Sequence, residues 1–167
     1  MSDAAEGPQN GTAARSERRG VMRPFSRGIG FGTPVMTAEG WIPVEFLTDG
    51  DYLMTPGGPV RLVALKTTLL TCVRPCRVGP SSLGHARPES ALVLAPDTAV
   101  VLRDWRAPAL YGTRAAAVPV TRLVDGTHIR RDANPMAMRV VEPLLEKSCV
   151  IDVDGLEVMA SGADVPA

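Results

Sequence analysis

Groups suited to acid–base or metal chemistry are scarce in this chain of 167 residues, which carries two histidines and three cysteines. Cys72, Cys76 and Cys149 make no even disulfide framework. A small secreted fold stapled by disulfides is therefore excluded, and a reducing compartment is expected. Long apolar runs are missing as well. No stretch approaches the roughly 18–20 consecutive apolar residues of a membrane helix. The first residues, Met1 to Gly7, form neither a basic segment nor an apolar one of the kind that directs secretion. Together these absences point to a soluble cytoplasmic protein with no membrane partner. What the chain does have is apolar residues, 45% of the total against 22% charged. That share suits one folded domain with a real core plus a tail, and excludes a wholly disordered or fibrous protein.

The net charge is zero, yet acids and bases are segregated. Residues 1–27 sum to +2, residues 28–51 to −4, residues 52–131 to +7 and residues 132–167 to −5. A basic middle invites a nucleic-acid reading. Its bases are scattered, and Trp105 and Tyr111 are the only aromatics that interleave with them before residue 132 apart from Tyr52 at its start. Complementarity between the basic middle and the acidic flanks is the better reading, with no nucleic-acid partner. Residues 1–24 are rich in Ala, Gly, Ser, Glu and Arg without apolar periodicity, and read as a disordered tail. Met22 near its end offers a second translation start. A folded domain over 25–163 and a short tail over 164–167 complete the division.

From residue 31 on, apolar runs of four to six residues alternate with turn chemistry, which predicts an all-β fold. The expected strands are Thr33–Thr37, Tyr52–Thr55, Val60–Thr67, Thr71–Val78, Ala91–Ala95, Ala99–Arg103, Ala116–Val120, His128–Arg131, Met138–Glu142 and a closing pair near 148–160. Turn signals separate them, Asp49-Gly50, Pro56-Gly57-Gly58-Pro59, Asp125-Gly126 and Asp154-Gly155 among others. Residues 41–47 are expected to make one tight turn, and Arg139–Lys147 has helical spacing that Pro143 is expected to break. The segment from Arg103 to Tyr111 has no clear period; its Trp105 and Tyr111 are expected to cap one end of the β core. Asp154-Gly155 supplies the positive φ angles of a two-residue hairpin that pairs Val153 with Leu156, Asp152 with Glu157 and Ile151 with Val158. Two carboxylates thus oppose each other on its polar face, which calls for water, an Arg or a cation to screen them. A solvated face is expected there.

Four blocks carry a family resemblance. Residues 32–55 run Gly32-Thr33, a short strand, Glu39-Gly40, Val44-Glu45-Phe46-Leu47 and Gly50-Asp51 before the next strand. Leu92 to Leu102, Val118 to Gly126 and the terminal hairpin ending Ala160-Ser161-Gly162 supply the others. In order and spacing they resemble the Hint domain, the Hedgehog/intein autoprocessing fold, in particular its bacterial subgroup. The resemblance covers about residues 28–163. It implies a flat β disc of short strands and hairpins in which both chain ends meet near one centre, and a self-cleaving or splicing chemistry.

That chemistry needs parts which can be looked up by position. The family's nucleophile is a Cys or Ser whose side chain attacks the preceding carbonyl; here the position falls on Gly28. The histidine that protonates the departing amide nitrogen falls on Thr98, whose hydroxyl is no general acid. The closing His-Asn pair of the splicing members is absent from the end of the sequence. The expectation is a domain that has lost self-cleavage and serves as a binding or structural module for a protein partner, without cofactor or metal. The alternative is autoprocessing through an unorthodox nucleophile, Ser26, with His85 or His128 as proton donor. If the scaffold is intact, restoring Cys at Gly28 and His at Thr98 together is expected to recover thioester formation. Cys72-Val-Arg-Pro-Cys76 with His85 and His128 has zinc-like spacing. Residues four apart on a strand lie about 13 Å apart, however, so free cysteines are expected, with Cys149 in the core.

Overall fold

In the computed structural model, which describes residues 25–84 and 86–163, turns fall where Gly, Pro and Asx residues cluster and short strands lie between them. The strands are β1 (Ile29–Gly30), β2 (Pro34–Thr37), β3 (Gly40–Pro43), β4 (Tyr52–Thr55), β5 (Gly58–Val73), β6 (Cys76–Val78) and β7 (Leu92–Leu94). They continue as β8 (Ala99–Leu102), β9 (Ala116–Pro119), β10 (Ile129–Arg131), β11 (Met136–Leu145), β12 (Cys149–Val153) and β13 (Leu156–Gly162). One six-residue helix, α1 (Arg106–Tyr111), and two 3-10 turns, Val44–Phe46 and Val120–Leu123, are the helical elements among the described residues. The all-β expectation holds. The expected tails over 1–24 and 164–167, with Met22, and His85 lie outside the described residues.

The strands follow one path, β10-β6-β7-β1-β11-β5-β4-β2-β12-β13-β8-β9, with β3 beside β2. One further pairing, parallel, sets Leu144 and Leu145 of β11 against Ser161 and Gly162 of β13. It closes β11, β5, β4, β2, β12 and β13 into a ring. Alternation then sends every second side chain inward, and Val35, Leu53, Leu62, Leu145, Ile151 and Val153 are fully buried there. Truncating any of the leucines to Ala removes transfer energy and leaves a cavity, together about 2–5 kcal/mol.

The Asp154-Gly155 hairpin forms with φ of 51° and 86°, and its register pairs Val153 with Leu156, Asp152 with Glu157 and Ile151 with Val158, as expected. Asp154 does more than turn the chain. Its buried carboxylate accepts hydrogen bonds from the Ser90 N–H at 3.1 Å and the Ser90 hydroxyl, so the turn anchors the loop before β7.

Elsewhere the boundaries differ. The two strands expected over 60–67 and 71–78 are one strand, β5, broken only after Val73. Thr68-Leu69-Leu70 carries no turn chemistry, and β11 pairs across it from Met138 to Val140. β11 does not stop before Pro143 but runs through it to Leu145. The reason lies on its other edge. Pairing to β1 ends at Val141 and pairing to β13 begins at Leu144, so Pro143 falls where no neighbouring strand needs its missing N–H. Residues 41–47 split between β3 and the 3-10 turn. The segment without a period is α1, pinned by buried Ala107 and stopped by Gly112 at φ 69°. Trp105 caps nothing. It is 74% exposed at the start of α1, correcting the expectation that it covers the core.

Candidate functional site

The gap between β1 and β13 along β11 opens a cleft of about 290 Å³, lined by Gly28, Thr98, Pro143, Ser148, Ile151 and Ser161 among others. β1 brings the start of the described chain to this gap, and β13 brings its end, so the two ends of the domain meet at one centre. Three hydroxyl groups, those of Thr98, Ser148 and Ser161, are its nucleophile-type side chains. Ser148 is engaged by the end of β13, since its Oγ accepts from the Gly162 N–H at 2.9 Å. At the rim Arg27 pairs with Glu142 at 3.1 Å, and Lys66 reaches the other oxygen of that carboxylate at 3.6 Å.

The structure brings Gly28 and Thr98 together, although they stand 70 residues apart in sequence. Gly28 N–H donates to Thr98 Oγ1 at 3.1 Å, and that hydroxyl donates back to Gly28 O at 3.1 Å. The same carbonyl accepts from Ala95 N–H at 3.0 Å. Thr98 is 4% exposed, so these bonds are shielded from water and tie β1 to the turn before β8. Gly28 itself adopts φ +139°, a region that L side chains rarely enter. A Cβ built there would lie 2.5 Å from Val140 Cβ and 2.6 Å from Val140 Cγ2. Van der Waals contact between carbons needs about 3.5–4 Å. Val140, buried on β11, therefore occupies the space into which a side chain at residue 28 would project. The expectation for Gly28→Cys with Thr98→His is conditional on an intact scaffold, and at residue 28 a Cβ is opposed by Val140.

Ser26 lies two residues upstream and is buried. Its N–H donates to Asp97 Oδ2 at 2.8 Å and its carbonyl accepts from Asp97 N–H at 2.9 Å. The acidic group beside Ser26 is thus Asp97. His128 does not share this place: it stands exposed before the edge strand β10, 3.4 Å from Asp125. Asp125 itself is held down to about 2 by backbone N–H groups of Ile129, Thr127 and His128.

The cysteines scatter. Cys72 is exposed at the end of β5, Cys76 is buried on β6 and Cys149 is half-buried on β12, packed against the core. Burial pushes the Cys76 thiol up to about 11, and raises that of Cys149 as well. Neither is poised as a thiolate nucleophile. Among the described residues no group of three or more His, Cys, Asp or Glu side chains is arranged to hold a metal. The two hairpin carboxylates are partly buried and each has its own partner: Glu157 pairs with Arg103, and Asp152 Oδ1 accepts from Gly155 N–H at 2.8 Å.

Sequence reasoning located Gly28, Thr98 and Ser26 but missed Asp97, Val140, Glu142 and Ser148. Asp97 stands next to Thr98, so a signal existed for it. Val140 and Glu142 enter through β-sheet register, and Ser148 through the loop between β11 and β12 that meets Gly162, for which no local sequence signal exists.

A family model described as Hint domain matches residues 29–160. No curated protein matches the sequence significantly. Among solved structures, the MchDnaB-1 intein is similar over 80% of this chain and 99% of its own, with 14% identity and a TM-score of 0.51. The bacterial intein-like domain from Clostridium thermocellum is similar over 83% of this chain and 100% of its own, with 14% identity and a TM-score of 0.50. The Msm DnaB1 intein splicing domain, solved with zinc bound, is similar over 80% and 99%, with 20% identity and a TM-score of 0.50. At these identities the likeness is one of fold.

Proposed function

From the premise that the chain belongs to the Hint domain family, we propose that it is a member without self-cleaving activity, acting as a binding or structural module for a protein partner. One observation carries this reading: the nucleophile position is Gly28, and Val140 fills the space its side chain would need. A nucleophile there has neither an atom to attack with nor a place for one. The proton donor is lost in the same neighbourhood. Thr98 uses its hydroxyl to clamp the backbone of Gly28 on both sides, and a threonine hydroxyl does not protonate a departing amide at operating pH. What remains is a cleft of apolar walls and neutral hydroxyls with an Arg27–Glu142 pair at its mouth, suited to holding chain rather than cutting it. No cofactor is required.

A second reading is favoured by the contact between Ser26 and Asp97. In an N–O acyl shift the Ser26 hydroxyl gives its proton to the Asp97 carboxylate as its oxygen attacks the carbonyl carbon of Phe25, the C–N bond to Ser26 breaks, and Asp97 returns that proton to the departing nitrogen. Asp97 Oδ2 lies 2.8 Å from that nitrogen. Intact-mass measurement of freshly purified protein, with and without hydroxylamine, separates the two. The module reading expects full-length protein under both conditions. A cut between residues 25 and 26 that appears with hydroxylamine and vanishes in Ser26→Ala supports the second reading and overturns the first.

A further inference from the structure

The chain has seven aromatic residues, and every one of them is exposed, while the buried core is aliphatic apart from Cys76. Phenylalanine is among the residues most often buried, so aromatics left outside in this number mark surface available for contact. Four of them gather around the β2–β3 hairpin. Thr37 and Leu53, paired between β2 and β4, are both buried, so alternation puts Met36 and Tyr52 on the outer face. Trp41, paired with Met36, joins them there. Tyr52 sits beside the hairpin tip, where its carbonyl accepts from Ala38 N–H at 2.9 Å. At the other end of the hairpin, Gly32 N–H donates to Glu45 Oε2 at 2.7 Å. That bond brings the turn at Phe31 and Gly32 against the 3-10 turn that carries Phe46, 69% exposed. The hairpin strands between these two ends are four residues each, about 13 Å long.

The acids of the same stretch have no counter-charge. Residues 28–51 hold Glu39, Glu45, Asp49 and Asp51 and no base, and none of the four makes an ion pair among the described residues. Glu39 stands at the hairpin tip two residues before Trp41, Glu45 directly precedes Phe46, and Asp49 and Asp51 lead into Tyr52. The base that strand pairing sets beside these aromatics is Arg61, opposite Tyr52, which leaves an excess of three negative charges. On the module reading, we propose that this face, from Phe31 and Phe46 to Trp41 and Tyr52, docks a segment of a partner protein in which arginine or lysine alternates with apolar residues. The sign of the charge selects the occupant. Nucleic acid and anionic lipid carry phosphates that uncompensated carboxylates repel, whereas guanidinium and ammonium groups pair with carboxylates and also lie over aromatic faces. Apolar side chains between those cations cover the rings and exclude water from them.

Fluorescence anisotropy of a labelled, capped peptide of alternating arginine and leucine, about twelve residues long, titrated with the full chain tests this. Because the chain has no net charge, binding reports a local surface rather than bulk attraction. A Kd of about 10–100 μM is expected, weakening about threefold or more between about 0.05 and about 0.5 M salt. A glutamate–leucine peptide of the same length is expected not to bind in that range. Trp41→Ser with Phe46→Ser is expected to weaken binding by about tenfold or more, whereas Trp105→Ser, which removes a more exposed aromatic elsewhere, leaves it unchanged. Glu39→Gln with Asp49→Asn alters exposed side chains that make no hydrogen bond among the described residues, and is expected to lower both the affinity and its salt dependence at an unchanged melt. This carboxylate pair decides if the aromatic changes disturb the melt. An arginine peptide that does not bind at about 1 mM, a glutamate peptide that binds as tightly, or a carboxylate variant that binds like the wild type overturns the proposal. So does a Trp105→Ser variant as weak as the one at Trp41 and Phe46. Full-length protein under hydroxylamine with no peptide binding overturns this surface alone and leaves the module reading standing.

Discussion

Gly28→Ala adds one carbon, and the structure says what that carbon meets. Its Cβ would stand 2.5 Å from Val140 Cβ, on a backbone with φ +139°. Two terms follow. Holding an L residue in that backbone region costs about 1–3 kcal/mol. Forcing a methyl into a filled core position costs about 1–3 kcal/mol more. The sum, about 2–6 kcal/mol, is a large share of the roughly 5–15 kcal/mol that keeps a domain folded. Urea denaturation, read at the midpoint with the slope unchanged, measures it. Val140→Ala does not relieve the nearest contact, which is to Val140 Cβ itself, so the informative partner is Val140→Gly. Combined with Gly28→Ala it should recover the steric share, a coupling of about 1–3 kcal/mol in a double-mutant cycle, while the backbone share persists. Gly28→Ala within about 1 kcal/mol of wild type, or a cycle additive to within about 0.5 kcal/mol, refutes the steric account. The chemical corollary is that Gly28→Cys with Thr98→His forms no hydroxylamine-sensitive bond while Val140 is in place.

Asp154→Ala loses both Ser90 hydrogen bonds and keeps a non-glycine residue at φ 51°, so a loss of about 2–4 kcal/mol is expected in a thermal or urea melt, against under about 1 for Asp154→Asn. Asp152→Asn retains an oxygen for the Gly155 N–H and leaves Glu157 on Arg103, and should shift stability by no more than about 0.5 kcal/mol, equally with calcium and with chelator; a loss seen only with calcium contradicts this. In thiol titration Cys72 should react first, Cys149 more slowly and Cys76 only on unfolding. Because the folded Cys76 thiol titrates at about 11 and the unfolded one near 9.0, its proton is held more tightly in the fold. The stabilisation is therefore complete below about pH 9 and is lost, by of order 2 kcal/mol, as pH rises towards 11; Cys76→Ala should flatten that slope.

The alternation of short apolar runs with Gly and Asx turns determined the strand class, because a period of two is a local property of the chain. The Asp154-Gly155 hairpin was legible to the residue for the same reason: a two-residue turn with two positive φ angles fixes its own register. Gly28 and Thr98 were singled out by the family resemblance of the blocks around them, Ser26 by standing two residues upstream, and Gly28 and Thr98 do meet. Local sequence failed at β5 and at Pro143, where the outcome depended on whether another strand lay alongside. Continuity of β5 through Thr68-Leu69-Leu70 comes from β11, and Pro143 is tolerated because it faces a gap between β1 and β13. Val140 shows the limit most clearly. Nothing near residue 140 announces a link to residue 28, since the contact exists only once β1 has docked on β11. Whether residue 28 has room for a side chain was therefore decided by tertiary packing, in which a single methyl-sized volume can be claimed by only one of two residues 112 positions apart.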